Sequence, residues 1–228
     1  MDFASIGRST GTDKVTHHGY HRFYPRYLEE FRDTATGILE IGIDRKCSVE
    51  LWKAYFPNAH VYGIDIGFEH TEPRVTIRQA DQSSRSDLES VRAHITHPIQ
   101  CIVDDGSHIP EHQLSTLNYF FPKLLEPGGV YIVEDIETSY WTRGDCYGYP
   151  TNYGFKHPQS FVEQSKALID SINSEFLDDS CIDTQFSAEV RAWMSSIAFG
   201  QNCVIFQKKM AHEMDYSNRV YRFQHNLL

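Results

Sequence analysis

Apolar and polar positions follow two patterns along this chain: short aliphatic runs that end in an acid or a glycine, and longer stretches in which apolar residues recur every third or fourth position. Residues 37–43 (G-I-L-E-I-G-I), 60–66 (H-V-Y-G-I-D-I), 74–79, 99–104 (I-Q-C-I-V-D) and 130–133 (V-Y-I-V) read as strands. Residues 48–56, 85–95, 111–125 and 161–172 read as helices; Pro57-Asn58 stops the first and Pro158 introduces the last. Strands and helices alternate in units of roughly 25 to 30 residues, the length that parallel β-α-β crossovers need. The pattern therefore predicts an α/β fold whose sheet is mostly parallel and covered on both faces. Near the end, residues 195–208 hold two strand-like runs broken at Gly200-Gln201-Asn202, which predicts a hairpin.

Two stretches escape these periodicities. The opening segment to about Tyr27 shows neither helix nor strand spacing and is rich in His and Tyr, so it is expected to lie over the rest of the domain. Residues 137–157 (E-T-S-Y-W-T-R-G-D-C-Y-G-Y-P-T-N-Y-G-F-K-H) are longer than a connector requires, as binding loops often are. The expected organisation is one domain over residues 1–228, with 1–36 as a cap and 137–157 as an active-site loop.

Composition narrows the function. The chain has 228 residues, 40% of them apolar, enough for one sizeable core. Its net charge of −10 and the lack of any extended basic patch argue against nucleic-acid binding. There is no eighteen-residue apolar run and no secretory leader pattern at the start, so no membrane association is expected. Five scattered cysteines without C-x-x-C spacing fit buried thiols in a reducing, cytoplasmic setting.

The candidate chemistry sits where strands end. V-D-D-G-S-H at 103–108 places Asp105 and His108 three residues apart across a glycine, directly after a strand. The next strand ends in Glu134-Asp135, and parallel neighbours would bring both acidic tips to one rim. Carboxylates from Asp105, Glu134 and Asp135 suit a hard divalent ion such as Mg²⁺, with Mn²⁺ also compatible; the competing reading is acids that merely cap helices. His108 is the candidate general base. Asp104 alternates to the other face, toward a cofactor or the loop. Gly42 permits close approach of a ligand, Glu40 and Asp44 offer acceptors beside it, and Asp65 is placed for ribose hydroxyls. Tyr140, Trp141, Tyr147, Tyr149 and Tyr153 offer an aromatic wall for a sugar or polycyclic substrate.

Taken together, G-T-D-K at 11–14, L-E-I-G-I, L-W-K-A-Y-F-P, Y-G-I-D-I, A-D-Q-S, V-D-D-G-S-H, L-E-P-G-G-V-Y-I-V-E-D-I and E-T-S-Y-W span most of residues 11–141. In these the chain resembles the metal-dependent macrolide sugar O-methyltransferases of the mycinamicin and macrocin type, within the class I S-adenosylmethionine-dependent superfamily. The resemblance implies a Rossmann-like, three-layer α/β/α fold with a seven-stranded sheet whose last strand is antiparallel. It also implies that Gly42 lies under S-adenosylmethionine, Glu40 near its amino-acid end, Asp65 on the ribose and Asp81-Gln82 near the adenine. The segment from Gly11 to Tyr24, with Thr12 and Lys14, closes that site. In this type the residues matching Asp105, Glu134 and Asp135 hold Mg²⁺ and the one matching His108 takes a proton from a sugar hydroxyl. A homo-oligomer, dimer or tetramer, is also implied. One departure stands out: Ile43-Asp44 follows Gly42 where a further glycine is usual.

The implied reaction is methyl transfer to a hydroxyl of a glycosylated natural product. Methylation of a catechol or other vicinal diol is the alternative of the same class. A non-catalytic S-adenosylmethionine-binding protein and a nicotinamide oxidoreductase are the alternatives from other classes, the last disfavoured because G-x-G-x-x-G is absent.

Overall fold

A computed structural model describes residues 1–142, 145–146, 149–150, 152–177 and 181–218. Its centre is five parallel strands: β1 (Gly37–Ile41), β2 (His60–Asp65), β4 (Val75–Gln79), β5 (Ile99–Asp104) and β6 (Leu125–Glu134), with β3 (His70–Glu72) lying before β4. Two more short strands, β7 (Asp145–Cys146) and β8 (Tyr149–Pro150), form a separate hairpin, and β9 (Met194–Gly200) and β10 (Cys203–Lys208) complete the main sheet. The order across that sheet is β3-β4-β2-β1-β5-β6-β10-β9.

The sheet therefore has eight strands, which corrects the expected seven, and three of its pairings are antiparallel: β3 with β4, β10 with β6, and β10 with β9. The unforeseen strand is β3. Its three residues, His-Thr-Glu, are too few and too polar to show an alternation, and it exists because Pro73-Arg74 turns the chain back along β4, with Arg74 at φ 64°. The predicted hairpin is present, turning at Gln201-Asn202 with Asn202 at φ 62°. It sets β10 antiparallel against β6, in register at Cys203 with Glu134.

Helices cover both faces. On one face α5 (Arg85–His94), α6 (Pro110–Lys123), α7 (Phe161–Ile172) and α8 (Ala188–Trp193) bury Leu88, Leu117, Phe120, Phe161 and Val190 against Leu39, Ile102, Val133 and Phe206. On the other face, α4 (Cys47–Tyr55) buries Val49, Leu51, Trp52 and Tyr55 against Ile38, Val61, Val103 and Ile205. Neighbouring strand residues such as Ile38 and Leu39 serve opposite layers, as the pleat requires.

The first 27 residues, expected to be irregular, contain α1 (Phe3–Thr10), α2 (Asp13–Thr16) and the start of α3 (Pro25–Leu28). Asp2 caps α1 by accepting from the Ser5 N–H at 2.7 Å, and Gly11 ends it in the left-handed region at φ 73°. Only Phe3 and Ile6 anchor α1 among apolar residues, too few for a period to show in sequence. Phe3 packs its ring among Tyr24, Trp52 and Tyr55 at 5.0–5.9 Å, so the segment is fastened by aromatic contacts to α4. Among the described residues, no helix is long and apolar enough to cross a membrane.

Candidate active site

The chain reverses its winding direction at β1, which pairs with β2 on one side and β5 on the other. Loops leaving the carboxyl ends of such neighbours part, and the crevice between them is where open α/β sheets bind ligands. A cavity of about 840 Å³ lies there, walled by the loops after β1, β2, β4 and β5 and roofed by Gly11, Asp13, His17 and His18.

Gly42 allows two of these loops to touch. It sits at φ 85°, its N–H donates to the Ile64 carbonyl at 2.8 Å, and a Cβ built on it would lie 2.0 Å from the Asp105 carbonyl oxygen. Asp105 is tied back in turn, its N–H donating to the Ile41 carbonyl at 2.8 Å. The Asp65 carboxylate braces the same turn, accepting from the N–H groups of Ile43 at 3.1 Å, Asp44 at 3.2 Å and Gly67 at 2.7 Å. Gln82 joins the next two loops: its amide donates to Asp104 at 2.8 Å and accepts from the Ser107 N–H at 2.9 Å. Asp81 accepts from the hydroxyl and the N–H of Ser83, which hold its carboxyl below the usual range.

Beside the cavity, Asp105, His108 and Asp135 each place one potential ligand atom within 4.8 Å of the others. His108 Nε2 lies 3.8 Å from Asp135 Oδ2. Both His108 (φ 56°) and Asp135 (φ 50°) occupy the left-handed region without being glycine, a strain that persists only where neighbours impose it. For Asp135 those neighbours are Tyr20 and Asn202: Tyr20 OH donates to its Oδ1 at 2.6 Å and accepts from its N–H, and Asn202 Nδ2 donates to Oδ1 at 3.0 Å. His18 Nδ1 also lies 3.3 Å from that oxygen, its ring stacked on Tyr20.

A second layer of charge lies directly behind. Lys14 is wholly enclosed, and its Nζ reaches Asp105 Oδ2 at 2.6 Å, Glu134 Oε2 at 2.8 Å and Glu40 Oε1 at 3.2 Å. Burial alone would depress this ammonium, but the three carboxylates outweigh it and hold its pKa well above the ordinary value. Burial pushes the carboxyls of Glu40 and Glu134 upward, against the pull of Lys14. Tyr24 OH donates to the other Glu134 oxygen, and Ser48 Oγ donates to Glu40 Oε2 at 2.7 Å.

The expected site residues thus fall into three groups. Gly42, Asp44, Asp65, Asp81, Gln82, Asp105, His108 and Asp135 share the cavity wall. Thr12, Lys14, Glu40, Asp104 and Glu134 are buried and off that wall. Asp104 is held by Gln82 and Tyr131, and burial raises its carboxyl to about 7. Asp44 points its carboxylate to solvent, where it pairs with Arg45 at 3.0 Å. Of the aromatic wall, Tyr140 and Trp141 do not line the cavity: Tyr140 is 48% exposed and stacks near Phe155, and Trp141 is half-buried. Tyr147 and the side chain of Tyr149 lie outside the described residues. Tyr20 and Tyr24, which orient Asp135 and Glu134, were not singled out as site residues, although their four-residue spacing puts both rings on one side of a helical turn, 5.3 Å apart.

The donors fit the expected groups. Two carboxylates converging beside a cavity suit a hard divalent ion, and an imidazole next to them suits a base acting on what the ion would hold. No family model matches the chain. It is 40% identical over 147 residues to 8-demethyl-8-alpha-L-rhamnosyl tetracenomycin-C 2'-O-methyltransferase of Streptomyces olivaceus, covering 60% of this chain and 38% of that protein. With L-olivosyl-oleandolide 3-O-methyltransferase of Streptomyces antibioticus it shares 34% over 180 residues, 75% of this chain and 45% of the relative. Among solved structures, the MycE methyltransferase from the mycinamycin biosynthetic pathway, in complex with Mg and SAH, superposes with a TM-score of 0.79 at 25% identity, covering 92% of this chain and 54% of that one. The shared fold is that of the class I methyltransferases. The chain is also 31% identical, over 171 and 173 residues, to demethylmacrocin O-methyltransferase of Streptomyces fradiae and mycinamicin VI 2''-O-methyltransferase of Micromonospora griseorubida. It spans about half the length, or somewhat less, of the relatives it matches.

Proposed function

We propose that this chain carries out S-adenosylmethionine- and Mg²⁺-dependent methylation of a sugar hydroxyl on a glycosylated natural product. The observation that carries the reading is the convergence of Asp105, His108 and Asp135 beside the cavity at the β1 turn, in a chain whose relatives are named sugar O-methyltransferases.

When bound, S-adenosylmethionine supplies an electrophilic methyl group, and a divalent ion orients a hydroxyl and eases loss of its proton. Residues of this chain do the rest. Gly42 lets the loops after β1 and β5 meet under the cofactor, Asp65 has acceptor capacity left for ribose hydroxyls, and Asp81 and Gln82 border the adenine end. Glu40 and Asp44 serve the amino-acid end, with Thr12 in the segment above, and Lys14 braces that end from behind the cavity wall through Glu40 and Asp105. Asp105 and Asp135, with Glu134 behind them, hold the ion, and His108 Nε2 accepts the hydroxyl proton. Orientation supplies most of the rate, because the donor methyl is already activated.

In this reading residues 1–228 form one domain, with 1–36 as its cap and 137–157 as its active-site loop. The protein works in the cytoplasm as a homo-oligomer; the buried free thiols of Cys101 and Cys203 suit a reducing compartment. The test follows transfer of labelled methyl to a panel of rhamnosides, other glycosides and catechols, with and without EDTA. Turnover on glycosides that EDTA abolishes supports the assignment. Turnover on catechols alone moves the substrate to the vicinal-diol class, and EDTA-resistant turnover removes the metal from the mechanism.

A further inference from the structure

The ends of three adjacent strands meet at one ammonium. Glu40 lies in β1, Asp105 directly follows β5 and Glu134 closes β6, and each offers one carboxylate oxygen to Lys14 within 3.2 Å. The ammonium donates hydrogen bonds to Asp105 and Glu134 and stands in charge contact with Glu40, so all three of its close neighbours are acids of the protein itself. Lys14 is fully enclosed and does not line the cavity. It arrives from α2, in the segment that also carries His17 and His18 over the cavity and Tyr20 and Tyr24 onto Asp135 and Glu134.

We propose that Lys14 is a positioning residue for the divalent ion: its charge keeps Asp105 and Glu134 in place beside Asp135, and it fastens the covering segment to the same three strand ends. This rests on the metal reading of the site given above. The physical reason is charge balance in an enclosed space. Glu40 and Glu134 are essentially inaccessible to water, and only Asp105, with a side chain 21% exposed, has a route outward. Without a cation among them the three acids repel at short range, where solvent screens little. Asp105 is the one able to swing away, and it is also the acid that lies within the candidate ligand set. Lys14 thus acts through the carboxylates and touches neither ion nor substrate.

The test measures Mn²⁺ alone binding to the full chain, by the loss of the free-ion EPR signal, in wild type, Lys14→Met and the double variant Lys14→Met/Glu40→Gln. Methionine keeps an unbranched side chain, one atom shorter, and removes its charge. The second change removes one negative charge from a residue outside the ligand set, and so restores the original balance of charges around Asp105 and Glu134. The expected result is at least a tenfold weaker Mn²⁺ affinity in Lys14→Met, recovered to within about threefold of wild type in the double variant. Circular dichroism of each variant reports folding. If Lys14→Met fails to fold while the double variant folds and binds, charge balance is again the operative role and the proposal stands. Wild-type affinity in Lys14→Met overturns it, as does a double variant that is unfolded or binds no better than the single one. Absence of Mn²⁺ binding in the wild type overturns the metal reading itself, which separates the two claims.

Discussion

Replacing Gly42 by alanine separates backbone geometry from side-chain chemistry at the cofactor turn. Two costs add. An alanine at φ 85° must occupy the left-handed region, worth about 1 kcal/mol. Its Cβ would also sit 2.0 Å from the Asp105 carbonyl oxygen, so the two loops must part by roughly 1.4 Å to reach ordinary contact distance. Overpacking against backbone costs about 1–3 kcal/mol, giving a total of about 2–4 kcal/mol for Gly42→Ala. Gly11→Ala is the internal comparison, because Gly11 has a similar φ of 73° but nothing within 4 Å of its added Cβ. It should lose only the conformational part, about 1 kcal/mol. Urea unfolding measures both losses, and calorimetric titration with S-adenosylhomocysteine measures the consequence for the cavity. Parting the loops moves Asp105 and opens the turn braced by Asp65, so binding by Gly42→Ala should weaken by at least tenfold. The reasoning is refuted if Gly42→Ala is no less stable than Gly11→Ala, or if it binds S-adenosylhomocysteine as wild type does.

Other expectations are simpler to state. His108→Ala should lower methyl transfer by about 10²–10⁴-fold while leaving S-adenosylhomocysteine affinity within a few fold, since the imidazole is assigned to proton transfer; parallel kinetics and calorimetry distinguish these. Trp52→Ala removes a fully buried ring from the α4 layer and should cost about 3–5 kcal/mol in urea unfolding. Asp65→Ala removes the brace on the Ile43 and Asp44 N–H groups and should weaken S-adenosylhomocysteine binding at least tenfold in calorimetry. Burial lowers Lys208 to about 8 from its ordinary 10.5. The unfolded chain therefore holds that proton more tightly, and this residue's contribution makes stability rise as pH climbs from 8 to 10.5. Lys208→Met should flatten that rise in denaturation curves recorded across the interval.

Much of the architecture was legible because four of the five parallel strands carry aliphatic runs buried on both faces, a signal that needs no context; β4, with Val75 and Ile77 buried and Thr76 and Arg78 half-buried, shows the alternation instead. Ile38 and Leu39 illustrate the buried runs, each nearly inaccessible yet serving opposite layers. The acidic tips at Asp105 and Asp135 were legible for the same reason, since a parallel sheet delivers neighbouring strand ends to one rim. β3 was not, because three polar residues carry no alternation and the strand depends on the turn at Pro73-Arg74. The α1–α3 segment was hidden differently. Its stability comes from Phe3, Tyr20 and Tyr24 docking on Trp52 and on the acids of distant strands, and such partners cannot be read from local spacing. Lys14 is the clearest case: in sequence it is one lysine in G-T-D-K, and only the meeting of β1, β5 and β6 gives it three carboxylate partners. The alternation of Asp104 with Asp105 could be read directly, but the Gln82 and Tyr131 contacts that engage Asp104 could not.

The central claim is that one rim holds a methyl donor on one side and a divalent ion on the other, with His108 between them and the acceptor. It is tested most directly by anomalous diffraction from crystals soaked with Mn²⁺ and S-adenosylhomocysteine. A manganese peak is expected at about 2.2 Å from carboxylate oxygens of Asp105 and Asp135, with the nucleoside over Gly42 and its ribose on Asp65. A manganese peak elsewhere, or S-adenosylhomocysteine bound away from Gly42, would contradict it.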